Sequence, residues 1–524
     1  MKKWKSACAW SAAIAITAHA GLANAKIAGE RPQLAVGPYK SFETSRNVKG
    51  TIFHSMDSVL NAPADLLDWQ NASPAKKQGD PGFEGVQSNK TYAKFGIPGG
   101  KPVVVAVIDS GVDVTHEDLK GKLWVNKNEI PNDGKDNDKN GYVDDVFGWN
   151  FIGNKKGMAK FTATDGRNFD SGVEYVAGDA AYQVSTDTLE VTRELVRYTK
   201  LEQQGALSPE QAKYFEYVKA KYTEMKNDPS YAGSPYYFDI TSDTRATIVQ
   251  DNYADIKEKN YGNNDIIGPD SFHGTHVSGI IGAARDNDLG MNGVATNVKI
   301  MAIRVVPDGD ERDKDVANGI RYAVDNGAKI INMSFGKGFG PYKKAVDQAV
   351  KYAVSKGVIL VHAAGNDTED NNTDPNFPNR WNKLDYPKKD VSFPTWVEVG
   401  ASTYSKKQLA ASFSNYGSRT VDVFAPGFRI YSTIPGNEYS QASGTSMAAP
   451  TTSGVLAATM SYFPKKCATL VRNSVIKFSR KYPGLTTNLG GEVVRFGTLS
   501  ISGGVADLFS TVNFLKGYRK NCDQ

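Results

Sequence analysis

Val103-Val104-Val105-Ala106-Val107-Ile108-Asp109 is the stretch on which the fold turns. Six consecutive apolar residues, most of them β-branched, form the pattern of a parallel strand buried on both faces, which has no polar side to show to water. The run ends in a carboxylate, followed by Ser110-Gly111-Val112. Similar apolar runs recur at 299–306, 328–333, 358–363 and 397–399, with helical stretches at 314–326 and 341–356 between them. Strands alternating with helices predict an α/β fold of three layers, a mostly parallel central sheet with helices on both faces.

Residues 153–262 break the alternation. They are polar, and 186–226 is rich in Glu, Lys, Arg, Gln and Tyr at helical spacing, which predicts a helical insertion rather than another strand–helix unit. The main domain is expected over 64–515, followed by a tail at 516–524. Residues 26–63 show no period and form an N-terminal extension, of a length suited to a short propeptide.

The start of the chain reads as an address. Lys2, Lys3 and Lys5 precede an apolar run from Ala7 to Ala18 and then Ala23-Asn24-Ala25, a small-x-small cleavage pattern, so residues 1–25 are expected to be a signal peptide. The run is too short to span a bilayer, which needs about 20 apolar residues. The formal net charge is +5, and without those three lysines it is +2, which is no footprint for nucleic acid or an anionic membrane. The expectation is an exported protein, periplasmic or extracellular, with no membrane anchor, acting as a monomer. Beyond the signal only Cys467 and Cys522 remain. An even pair in an exported chain reads as a disulfide, with two buried thiols as the alternative.

Three segments carry the chemistry. Asp109 closes the first strand. His273-Gly274-Thr275-His276-Val277-Ser278-Gly279 opens a small-residue helix, and Gly444-Thr445-Ser446-Met447-Ala448-Ala449-Pro450 opens another. A serine hydroxyl is a poor nucleophile until a base takes its proton, and neutral imidazole suits that task near pH 7. The imidazole needs a buried carboxylate on its other nitrogen to hold the tautomer and stabilise the imidazolium. Ser446 would gain from the free N–H groups and positive end of its helix, and Pro450 is expected in the first helical turn, where its missing N–H costs little. A fourth segment, Val361-His362-Ala363-Ala364-Gly365-Asn366-Asp367, offers an amide donor for an oxyanion.

These four segments, in the order Asp, His, Ser, resemble the subtilisin-like serine proteases, the subtilases. The resemblance covers about 64–515, interrupted by the insertion. It implies a subtilisin-like fold and a serine endopeptidase that cleaves polypeptides through an acyl-enzyme on Ser446. Asp109 would then orient His273, His273 would act as general base and then acid, and Asn366 would bind the oxyanion. It also implies that Ser334-Phe335-Gly336 pairs with extended substrate. Ala363-Ala364-Gly365 would line the pocket for the side chain before the scissile bond.

Two other sites invite weighing. His273 and His276 could face one metal ion, but no Glu stands between them as in H-E-x-x-H, and Gly274 suits a metal-binding helix poorly; His276 reads as a core histidine. Asp136-Asn137-Asp138-Lys139-Asn140-Gly141 resembles a calcium loop, with Asp136, Asp138 and Asn140 as side-chain ligands and Asp144 or Asp145 closing the site. A solvated acidic turn is the alternative. The calcium would be structural, since the triad chemistry requires no cofactor.

Overall fold

The computed structural model describes residues 52–53, 66–74, 82–153, 161–162, 168–169, 186–227, 245, 249–268, 270–307, 311–381 and 392–522. The expected signal peptide and most of the N-terminal extension lie outside them. Among the described residues, nine strands form the central sheet: β1 (Val103–Asp109), β2 (Gly148–Asn150), β3 (Val298–Arg304), β4 (Ile330–Met333), β5 (Ile359–Ala363), β6 (Trp396–Ser402), β7 (Val423–Pro426), β8 (Arg480–Lys481) and β9 (Gly504–Val505). Their spatial order is β8-β9-β7-β6-β5-β4-β1-β3-β2. Every pair is parallel except the edge pair β8–β9. β6 runs beyond the apolar stretch read for it, because its second half, Gly400-Ala401-Ser402, is too small to stand out as an apolar run.

The α-helices among the described residues are α1 (Ser88–Phe95), α2 (Thr186–Gln203), α3 (Pro209–Asn227), α4 (Phe272–Gly282), α5 (Asp313–Asp325), α6 (Lys343–Ser355), α7 (Thr445–Tyr462), α8 (Ala468–Lys477) and α9 (Leu508–Gly517). β1 shows why both faces must be covered. Val105 and Val107 pack in one apolar cluster with Val277 and Ile280 of α4 and Val455 and Leu456 of α7. Ala106 and Ile108 point the other way, into a second cluster with Val316 and Ile320 of α5 and Val346 and Ala349 of α6. The side-chain period of two divides the strand between two cores, and the result is the three-layer α/β arrangement. β1 lies between β3 and β4, so the carboxyl end of a central strand carries Asp109.

α2 and α3 belong to the insertion. They share an apolar core of Val191, Tyr198, Phe215, Val218 and Met225, to which the main domain contributes the buried Phe339. A hairpin, Ile430–Ile434 with Glu438–Ser443, leads directly into α7, and Ile52–Phe53 pairs antiparallel with Ser443 and Ala442 on its second strand.

The Cα atoms of Cys467 and Cys522 are 5.3 Å apart, within the span of a disulfide, and the two residues are joined. The bridge closes a loop of 55 residues between the start of α8 and the chain end. On the chain-entropy account such a loop stabilises the fold by about 4 kcal/mol. Thermal melting of the oxidised protein against a Cys467→Ser, Cys522→Ser variant is expected to show a lower midpoint in the variant; equal midpoints, with two free thiols titrated in the wild type, would show that no bridge forms.

Candidate active site

Asp109 ends β1 and His273 is the second residue of α4. Both side chains are 1% exposed, and His273 Nδ1 donates to Asp109 Oδ1 at 2.7 Å. The Ser110 backbone N–H donates to the same oxygen, also at 2.7 Å. Such closeness needs a helix lying directly over a strand end. Gly274 permits it: a Cβ there would sit 2.0 Å from the Gly111 carbonyl oxygen and 3.2 Å from Asp109 Cβ. Any side chain at 274 would lift α4, and His273 with it, away from the carboxylate.

Ser446 is the second residue of α7 and is also 1% exposed. Its hydroxyl donates to the Ser334 carbonyl at 3.0 Å. Pro450 is not in the first turn, as expected from sequence, but is the sixth residue of the helix. There its missing N–H withholds the helical bond that the carbonyl four residues back, that of Ser446 itself, would accept. Ser334 Oγ takes that place, donating to the Ser446 carbonyl at 2.9 Å. Asn332 Nδ2 in turn donates to Ser334 Oγ at 2.9 Å, and Ser453 Oγ, further along α7, donates to Asn332 Oδ1 at 2.8 Å. The first turns of α7 are thereby tied to the end of β4.

The Ser334 side chain is fully buried behind Ser446, while Phe335 and Gly336 line a cleft that Ser446 and Asn366 also line. Ala363 and Gly365 line the same cleft. Ala364 does not. It belongs to a separate apolar cluster with Leu409 and Phe424, because alternate residues leaving β5 face opposite ways. Asn366 Oδ1 accepts from the Thr445 backbone N–H at 2.8 Å and from Thr445 Oγ1 at 3.0 Å. This fixes the amide with its carbonyl toward α7 and its NH₂ branch on the opposite side. Lys337, Asp367, Glu369, Asn376 and Asn415 are also among the lining residues, and no sequence motif marks them for it. Asn415 Oδ1 accepts the backbone N–H groups of both Asp367 and Glu369, a contact between segments 46 to 48 positions apart that no local motif announces.

The acidic loop divides the residues expected to bind calcium. Asp138 and Asp145 converge with Glu129, carboxylate oxygens within 4.8 Å of one another. Asp136 instead accepts the backbone N–H groups of Asn140 and Gly141, and Asp144 those of Asp133 and Gly134, so both hold the loop's own turns. Asn140 Oδ1 accepts from the Tyr142 N–H while its amide nitrogen faces Asp138 and Asp145. Burial pushes the Asp145 carboxyl up to about 6. Glu129 was missed because it stands before the alternating stretch and reaches back into it.

His276 is fully buried; its Nε2–H donates to the Ser440 carbonyl at 3.1 Å, and burial pushes its imidazole down to about 3. It is a neutral core histidine of α4.

The Peptidase_S8 model, described as "Subtilase family", matches residues 100–490. The chain belongs to the subtilase family. Thermitase from Thermoactinomyces vulgaris is 36% identical over 247 residues, 45% of this chain and 81% of that one. Subtilisin DY from Bacillus licheniformis is 38% identical over 219 residues, 42% of this chain and 71% of that one. A solved protease structure from Pseudoalteromonas arctica aligns over 85% of this chain and 97% of its own at 21% identity. Its TM-score of 0.47 is too low to add to the topology. This subtilase is a serine endopeptidase with an Asp-His-Ser triad, it acts on polypeptides, and its chemistry needs no cofactor. Among the described residues no helix is long and apolar enough to cross a membrane.

Removing the Ser334 hydroxyl takes a donor from the buried Ser446 carbonyl, a loss of about 1–3 kcal/mol. Ser334→Ala is expected to lower the melting midpoint and to cut kcat more than it raises KM, measured on a peptide anilide. An unchanged kcat would mean that this bond does not position the serine.

Proposed function

We propose that this protein is exported and hydrolyses peptide bonds with Ser446 as nucleophile, His273 as general base and then acid, Asp109 as orienting carboxylate and Asn366 as oxyanion donor. The observations that carry the reading are the buried 2.7 Å hydrogen bond from His273 Nδ1 to Asp109 and a cleft lined by both Ser446 and Asn366. Rotation about Cα–Cβ would turn the Ser446 hydroxyl from the Ser334 carbonyl to His273 Nε2; catalytic hydrogen bonds commonly form only when substrate is bound. Ser446 Oγ then attacks the scissile carbonyl as its proton passes to Nε2. Asp109 stabilises the imidazolium. The oxyanion is received by the Asn366 NH₂ and the Ser446 backbone N–H at the start of α7, where amide donors have no helical partner. Collapse expels the amine, protonated by His273, and water releases the acyl group by the same steps in reverse roles. Phe335 and Gly336 would pair with the extended substrate, and Ala363 and Gly365 would flank the side chain before the scissile bond.

Export is supported by the basic, apolar and small-residue order of residues 1–25 and by the joined cysteines. Glu129, Asp138 and Asp145 form an all-oxygen donor set suited to Ca²⁺, and three converging carboxylates favour a divalent cation between them. The ion would brace the loop between β1 and β2 and take no part in the reaction.

Casein hydrolysis by Ser446→Ala is expected to fall about a millionfold, to the level that the oxyanion donors and binding sustain. Asn366→Leu should lose about 100- to 1,000-fold in kcat with KM little changed. Wild-type-like turnover by Ser446→Ala would refute the assignment. Adding Ca²⁺ to chelator-treated protein should raise the melting midpoint, by about 2.7 kcal/mol of stability at a hundredfold excess over Kd, and Glu129→Gln should diminish that rise. A midpoint indifferent to Ca²⁺, or a rise undiminished by Glu129→Gln, would remove the ion from this site.

A further inference from the structure

The segment that follows β4, Ser334-Phe335-Gly336-Lys337-Gly338-Phe339-Gly340, contains three glycines in five positions from 336 to 340. Glycine loses more conformational freedom on ordering than any other residue, so such a segment has little intrinsic reason to hold one extended shape. Yet it borders the cleft beside Ser446, where Phe335 and Gly336 would meet substrate. Something outside the segment must hold it in place.

Two side chains supply the hold, and both engage the helical insertion. The Lys337 side chain is completely buried. Its ammonium lies 2.6 Å from Glu190 Oε2 on α2 and 3.2 Å from Asp313 Oδ1 at the start of α5. Burying an ammonium is costly unless opposite charges and hydrogen bonds surround it, so the position of this side chain is tightly defined. Burial holds the Asp313 carboxyl above the ordinary range, with Lys337 opposing. Asp313 Oδ2 also accepts from the Tyr342 N–H at 2.7 Å, and the Tyr253 hydroxyl donates to Glu190, so each carboxylate is itself fixed. Two residues on, Phe339 is fully buried in the insertion's apolar core, its ring 6.0 Å from that of Tyr217 on α3 and nearly parallel to it. The backbone is held at the same point, since Lys337 and Phe377 exchange N–H···O bonds of 3.0 and 2.9 Å.

We infer that Lys337 is a positioning residue for proteolysis: through Glu190 it couples the helical insertion to the substrate-pairing segment and pre-orders Phe335 and Gly336 for an extended polypeptide. The inference rests on the proposed role of that segment in binding substrate. It gives the insertion a task, that of a brace which removes part of the ordering cost from substrate binding. Its signature is dependence on substrate length. A peptide spanning four residues before the scissile bond uses the segment, whereas a single-residue ester reaches only Ser446 and its immediate surroundings.

The test compares kcat/KM for a tetrapeptide anilide and a single-residue ester in wild type, Lys337→Met and Glu190→Gln. Each value is normalised to active sites counted by phosphonate titration, which removes any loss of folded protein. The long-to-short ratio is expected to fall about tenfold in Lys337→Met, chiefly through KM of the long substrate, and to fall in Glu190→Gln as well. Lys337→Arg, which keeps the charge, should recover part of it. Glu190→Gln keeps the test decisive if Lys337→Met does not fold, since Glu190 lies on the insertion. A wild-type ratio in the variants, with only the melting midpoint lowered, would overturn the inference and leave the ion pair merely structural. A wild type that cleaves neither substrate and takes up no phosphonate would defeat the protease assignment beneath it instead.

Discussion

A single buried hydrogen bond, from His273 Nδ1 to Asp109 at 2.7 Å, sets the constraint that the surrounding architecture meets. The carboxylate must stand at the end of a strand with apolar layers on both faces, and the imidazole must arrive on a helix that touches that strand. β1 meets the first condition by dividing its alternate side chains between two cores. Gly274 meets the second, because the Gly111 carbonyl occupies the space a side chain would need. The small-residue character of α4 is thus a packing requirement before it is anything chemical.

The nucleophile's helix faces a different problem. Pro450 interrupts the hydrogen-bond ladder of α7 where the missing bond would have been accepted by the Ser446 carbonyl. Ser334 Oγ answers with a donor, and the chain of bonds from Asn332 through Ser334 to Ser446 pins the helix start to β4. Strand, serine and cleft wall become one unit. The same stretch then continues into Lys337 and Phe339, which the insertion grips. The order of the cleft therefore depends on elements at every range of the chain, from adjacent turns to a contact between residues 147 positions apart.

Much of this was legible in the sequence, and the limits have physical causes. The buried strands announce themselves as apolar runs, so β1, β3, β4 and β5 fall within one or two residues of where the pattern puts them; β6 was read short because small residues carry little hydrophobic signal. The three reactive groups lie in motifs whose local chemistry is distinctive. Ala364 reads as part of the cleft because it belongs to a contiguous motif, whereas a chain leaving a strand sends neighbours to opposite sides. Pro450 was placed by the general tolerance of first turns, which cannot foresee a side chain from beyond β4 replacing the lost donor. Glu129, Asn415 and the Glu190–Lys337 pair left no trace, since contacts between distant segments follow from the tertiary fold and from no spacing rule.

The most direct measurement is the rate at which an organophosphonate labels Ser446 in the wild type and in Asp109→Asn, with the modified residue located by peptide mass spectrometry. If the Asp109 carboxylate holds His273 in the working tautomer, labelling should occur at Ser446 and slow by about 10⁴-fold in the variant, whose shape is nearly unchanged. Equal rates in the two proteins, or a label on another residue, would contradict the account.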